Sequence, residues 1–262
     1  MPDGASQLTT PADFAFAGYL ARLADSHLVL GHRLSEWCGH GPVLEEDLAL
    51  TNLALDCLGH ATVLLRLLGQ ADGTGRDEDQ LAYFREAVEF RNVLLVEQPN
   101  GDFARTIARV FLFAAYALPL YEQLQRSTDA ALAAAATKFH PELRYHLRHA
   151  ARWMLILGDG TDESHRRLQE AIDAWWPYTG ELFALWPDDP ALIERGLIPH
   201  PDRVRAAWEA TITEVLGQAR LARPVAGMHM LLGGPIGRHT ETLGYLLAEM
   251  QIVARSFPGA SW

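Results

Sequence analysis

The chain holds 11 histidines and 33 Asp or Glu residues, ample material for a metal centre if their spacing is right. A carboxylate-bridged di-iron site in a helical bundle takes one carboxylate from each of two helices. Two further helices each supply a Glu-x-x-His pair, because the i, i+3 spacing aims both ligands into one interior. The residues three positions before the 11 histidines are Ala24, Val29, Trp37, Cys57, Thr137, Leu143, His146, Asp162, Leu197, Ala226 and Ile236. None is glutamate. The near misses are Cys57-Leu58-Gly59-His60 and Leu143-Arg144-Tyr145-His146, which keep the histidine and lack the carboxylate.

Other chemistries have less behind them. Asp162 with His165 is the single Asp-x-x-His, but it follows Gly158-Asp159-Gly160-Thr161, so Asp162 is expected to cap a helix. No Walker-type run occurs, and Gly233-Gly234-Pro235-Ile236-Gly237 has no strand before it, so it is read as a turn. His60 and His146 are expected to face each other and to hydrogen-bond to Asp56, Glu142 or the backbone. The alternative is an independent enzyme with a degenerate metal site at Cys57, His60 and His146. Cys57 is otherwise a small buried hydrophobe.

Helices must position these residues. Apolar residues recur at three- and four-residue steps from Phe14 to Trp37. Further helices are expected over Leu44 to Leu68, Gln80 to Glu97, Asp102 (as N-cap) to Arg126, and Ser127 to Leu157. Pro119 is expected to kink the fourth, and Pro141 to kink or split the fifth. Shorter helices follow near Glu163 to Leu185, Pro201 to Leu221 and Thr240 to Phe257, separated by the breakers at 186–190 and 233–237. No stretch alternates with period two. The reading is all-α, with long antiparallel helices in one domain over residues 1–262.

Composition narrows the partners. Lys+Arg minus Asp+Glu is 22 − 33 = −11, which argues against a nucleic-acid groove or an anionic membrane surface. Lys138 is the single lysine, an arginine bias that codon usage explains. Two cysteines, Cys38 and Cys57, make no disulfide framework and suit a reducing cytoplasm. The opening Met1-Pro2-Asp3-Gly4-Ala5-Ser6 does not read as a signal peptide. The uncharged apolar runs 110–121 and 224–237 fall short of the ~20 residues a bilayer needs. Seven tryptophans, Trp37, Trp153, Trp175, Trp176, Trp186, Trp208 and Trp262, suit core packing, and some suit a partner interface. Arg33, Arg144, Arg148 and Arg152 are candidates for salt bridges or for coenzyme A phosphates, with salt bridging expected.

Five segments carry a family resemblance: 33–40 (Arg-Leu-Ser-Glu-Trp-Cys-Gly-His), 94–101 (Leu-Leu-Val-Glu-Gln-Pro-Asn-Gly), 144–148 (Arg-Tyr-His-Leu-Arg), 206–209 (Ala-Ala-Trp-Glu) and 239–241 (His-Thr-Glu). With these the chain resembles the non-catalytic C subunits of bacterial phenylacetyl-CoA 1,2-epoxidases, from about Leu23 to Trp262. The resemblance implies a ferritin-like helical bundle with additional C-terminal helices. It also implies pairing with a di-iron catalytic subunit that epoxidises the aromatic ring, and further subunits of the complex. Laid on this chain by resemblance, the catalytic sibling's ligands fall near Leu30 and Ala114 and on Cys57 with His60 and Leu143 with His146. Four carboxylates have become Leu, Cys, Ala and Leu, too few oxygens and too little negative charge for two irons. The expectation is therefore a structural subunit with no catalytic, metal or cofactor residue of its own. A helical homo-oligomer unrelated to oxygenases would instead self-associate only.

Overall fold

The computed structural model describes residues 11–225 and 227–260, and among them there is no β-strand. Four long helices form the bundle. α1 (Pro11–Ser35) packs along α2 (Leu44–Ala71), joined by a turn in which Gly39 has φ +82°. Glu45, Glu46 and Asp47 open α2, where negative charge suits the positive end of the helix dipole.

The expected third helix is not continuous. It breaks into α3 (Glu78–Tyr83), a 3-10 turn at Ala87–Glu89 and α4 (Leu94–Glu97). The physical reason is a set of side-chain acceptors reaching in from other elements. Arg91 N donates to Asp25 Oδ2 (2.8 Å), Val93 N to Ser26 Oγ (3.2 Å) and Leu94 N to Glu181 Oε2 (2.6 Å). Backbone donors that a helix would pair with its own carbonyls are already satisfied. Asp25, fully buried, also takes a two-pronged bond from Arg85.

α5 (Phe103–Leu124) starts where the sequence places it, with Asp102 Oδ1 accepting from Arg105 N at 2.9 Å. α6 (Ala130–Gly158) is capped by Asp129 and lies against α5. Pro119 and Pro141 sit inside these helices without splitting either. Each proline removes one helical hydrogen bond, and the buried Leu120, Tyr121, Phe139 and Leu143 beside them anchor both helices in the core.

α7 (Asp162–Trp175) corrects a second expectation. Thr161, not Asp162, is the cap: its hydroxyl accepts from Ser164 N (3.1 Å), and Ser164 Oγ accepts from Thr161 N (2.9 Å). Asp162 lies in the first turn. His165 Nδ1 bonds the Gly158 carbonyl at 2.7 Å, tying α7 to the end of α6. α7 ends before Pro177, and the chain to Phe183 forms 3-10 turns where helix to Leu185 was expected. The breaker at 186–190 opens a short helix, α8 (Asp189–Glu194), because proline is tolerated in a helix's first turn.

α9 (Pro201–Gln218) and α10 (Glu241–Ser256) complete the fold. α7 and α9 flank α5, while α10 covers α3 and α4. Among the described residues two helices, α2 and α5, are long and apolar enough by composition to cross a membrane when a few charged residues are allowed within the apolar window. Most of the apolar window in α5, and half of that in α2, is buried inside the bundle, as core helices require.

Candidate functional site

The two near-miss histidines do meet. His60 on α2 and His146 on α6 lie with ring centroids 6.2 Å apart, both nearly inaccessible to solvent. Each bonds the carboxylate of the opposite helix: His60 Nε2 to Glu142 Oε2 at 2.6 Å, and His146 Nε2 to Asp56 Oδ2 at 3.1 Å. Asp56 and His60 are one helical turn apart on α2, as are Glu142 and His146 on α6. The result is a crossed pair of bonds between two helices whose direct contact is otherwise sparse.

A third imidazole, His27 on α1, completes the row. Its ring stands edge-on to His60 at 4.8 Å, and its Nε2 is 2.9 Å from the Tyr121 hydroxyl on α5. Sequence reasoning missed His27 and Tyr121. His27 precedes Leu30 by three residues, so it shares that residue's helix face, and this spacing is the signal that could have found it.

Burial sets the charge of the row. Desolvation holds His27 well below the ordinary histidine value and pushes His60 down to about 3, with His146 adding to both shifts. Glu142, about two-fifths exposed, is too well hydrated to offset that burial, and its own carboxyl is pushed up by desolvation and by Asp56. His60 Nδ1 and His27 Nδ1 have no hydrogen-bond partner among the described residues. In the neutral ring, placing the hydrogen on Nε2 leaves a bare lone pair rather than an unmade N–H on the buried side.

This arrangement does not fit a di-iron centre. The four positions at which the resemblance places carboxylates, Leu30, Cys57, Ala114 and Leu143, are all buried, and burial pushes the Cys57 thiol far up, away from thiolate. The Nε2 atoms of His60 and His146 are committed to Glu142 and Asp56. Among the described residues no group of three or more His, Cys, Asp or Glu side chains could hold a metal ion.

Of the four arginines expected in salt bridges, Arg33 pairs with Glu36 (2.8 Å). Arg148 instead lies over the Tyr145 ring (5.5 Å), and Arg144 bonds His140 Nδ1 (3.4 Å). Trp175, Trp176 and Trp208 are core residues, and Trp262 lies outside the described residues.

A family model described as phenylacetic acid catabolic protein matches residues 3–262. The chain belongs to this family. It is also 47% identical over 244 residues to the C subunit of the 1,2-phenylacetyl-CoA epoxidase of Escherichia coli (strain K12), covering 93% of this chain and 98% of that one. The phenylacetic acid catabolic fold is ferritin-like, in keeping with the α1–α2 and α5–α6 pairs seen here.

Three of the five family-like segments converge on one buried residue, Glu97, through its carboxylate and its backbone carbonyl. Glu97, wholly buried, accepts from Asn92 Nδ2 (2.9 Å), His239 Nδ1 (2.8 Å), Thr240 N (2.7 Å) and Thr240 Oγ1 (2.8 Å). Arg33 donates to the Glu97 and Thr242 carbonyls (2.9 and 3.1 Å). Asn100 Nδ2 donates back to Arg33 O (2.6 Å) and Glu36 Oε2 (2.8 Å). Arg109, fully buried and with its pKa lowered to about 9 by desolvation, donates to Gln98 O and Asn100 Oδ1. The Glu-Gln-Pro-Asn-Gly run is thus a knot that fastens α1, α5 and α10 together, and Gly101 leaves it at φ +62°.

Proposed function

We propose that this chain is the structural, non-catalytic subunit of a phenylacetyl-CoA 1,2-epoxidase in aerobic phenylacetate degradation, where it binds and stabilises a di-iron catalytic subunit in the cytoplasm. The observation that carries the reading is the near end-to-end match to the C subunit of such an epoxidase. The interior of the bundle supports it. Apolar side chains and two histidine–carboxylate cross-links occupy the place where a di-iron protein needs four carboxylates and two free imidazoles. A buried apolar filling also avoids the cost of unpaired carboxylates.

The chain's contribution is then a rigid helical surface. Leu44, Leu48 and Leu55 form one stripe along α2, each more than half exposed, and an apolar stripe of this kind suits a protein partner. Co-expression with the di-iron catalytic subunit tests the reading. The two chains are expected to co-purify, with iron following the catalytic chain and none bound stoichiometrically by this chain alone. Failure to associate, or one tightly bound metal per chain that disappears in His60→Ala, would favour an independent enzyme at Cys57, His60 and His146.

A further inference from the structure

A cavity of about 560 Å³ opens between the 3-10 turn Gly180–Phe183, α9 and residues 223–225 and 227–232. Its size is that of a small-molecule site. The floor is aromatic and buried: Trp208 lies 5.6 Å from Trp176 and 5.3 Å from Phe183 between ring centroids. The outer wall is fastened at both ends, where Ala222 N donates to Gln169 Oε1 (2.7 Å) and Leu231 N to the Pro177 carbonyl (2.8 Å).

Two arginines line this cavity in different states. Arg223 lies over the Trp176 ring at 5.2 Å and its Nη1 is held by Glu209 at 2.6 Å, so its charge is matched while its plane is fixed. Arg205 lies over the Phe183 ring at 5.0 Å and has no acidic partner among the described residues. A guanidinium stacked on a ring keeps its in-plane N–H fork free for an oxyanion. A guanidinium whose fork is already used still offers a flat face for stacking.

We propose that this cavity binds a planar aromatic compound carrying one anionic group, the ring stacked on Arg223 and the oxyanion forked by Arg205. Calorimetric titration of the full chain with AMP tests this, with adenosine and ribose 5-phosphate as the ring-only and anion-only halves and 1-naphthoate as an unrelated aromatic anion. AMP and 1-naphthoate are expected to saturate, and each half at least tenfold more weakly than AMP. The exposed substitution Arg205→Gln should lower AMP affinity to that of adenosine, and Arg223→Gln should weaken AMP and adenosine alike. Ribose 5-phosphate binding as tightly as AMP, unchanged AMP affinity in Arg205→Gln, or no saturation by AMP and 1-naphthoate at millimolar concentration would each overturn the proposal. The titration needs no other chain, so its outcome is separate from that of the co-expression above.

Discussion

His60, His27 and His32 are held neutral by burial, and the consequence is a stability that depends on pH. Their folded-state values are lowered, to about 3 for His60 and about 4 for His32, against about 6.5 in an unfolded chain. Between pH 6.5 and 4 the unfolded state binds protons that the folded state refuses, so stability falls as the pH drops. The slope approaches ~1.4 kcal/mol per pH unit per histidine. Urea denaturation at pH 7 and pH 5 should show a lower midpoint in acid, and His60→Gln should flatten the difference. The Asn100 side chain gives a second residue-scale prediction. Asn100→Ala removes the bonds to Arg33 O and Glu36 and strips the buried Arg109 guanidinium of one acceptor. A loss of about 2–4 kcal/mol by chemical denaturation is expected, since a buried cation is left under-bonded. The sequence marks Asn100 only as part of a specific-looking run; its reach across to α1 exists only once the chain has folded.

Elements here are decided by what reaches into them as much as by their own sequence. The stretch from Gln80 to Glu97 has a helical pattern, yet Asp25, Ser26 and Glu181 take its amides and leave three short pieces. Glu181 also accepts from Gly233 N (2.6 Å) and Gly234 N (3.0 Å), although burial pushes its carboxyl up to about 6. A Cβ on Gly234 would collide with the Asn92 carbonyl, a backbone atom with no freedom to move aside. Gly234→Ala is therefore expected to lower stability by about 1–3 kcal/mol, read as a fall in thermal midpoint. α10 is latched by His239, whose nitrogens face Glu97 (2.8 Å) and the Phe90 carbonyl (3.0 Å). Burial alone would lower this histidine, but those two acceptors together raise it above the ordinary value. A raised folded-state value stabilises fully below pH 6.5 and is lost as pH climbs through it. Hydrogen exchange across Glu241–Ser256, corrected for intrinsic rates, should accelerate above that pH, and His239→Gln should remove the dependence.

At the scale of the whole molecule, the apolar stripe on α2 is the surface to perturb. Leu48→Glu with Leu55→Glu should leave helix content and thermal midpoint near those of the parent, because both side chains are exposed, while weakening co-purification with the di-iron chain at least tenfold. Undiminished co-purification would place the interface elsewhere. The sequence alone determined the all-α class, the long helices, the cap at Asp102, and the missing carboxylates before His60 and His146. These are local properties: periodicity, a capping residue and an i−3 neighbour can be read without knowing what lies opposite. Tertiary structure alone decided that the two bonds cross, His60 to Glu142 and His146 to Asp56, that His27 and Tyr121 join them, and that Glu97 gathers His239 from 142 residues away. Those contacts join side chains far apart in sequence, and their geometry is set by how the helices pack, which no periodicity within one helix records.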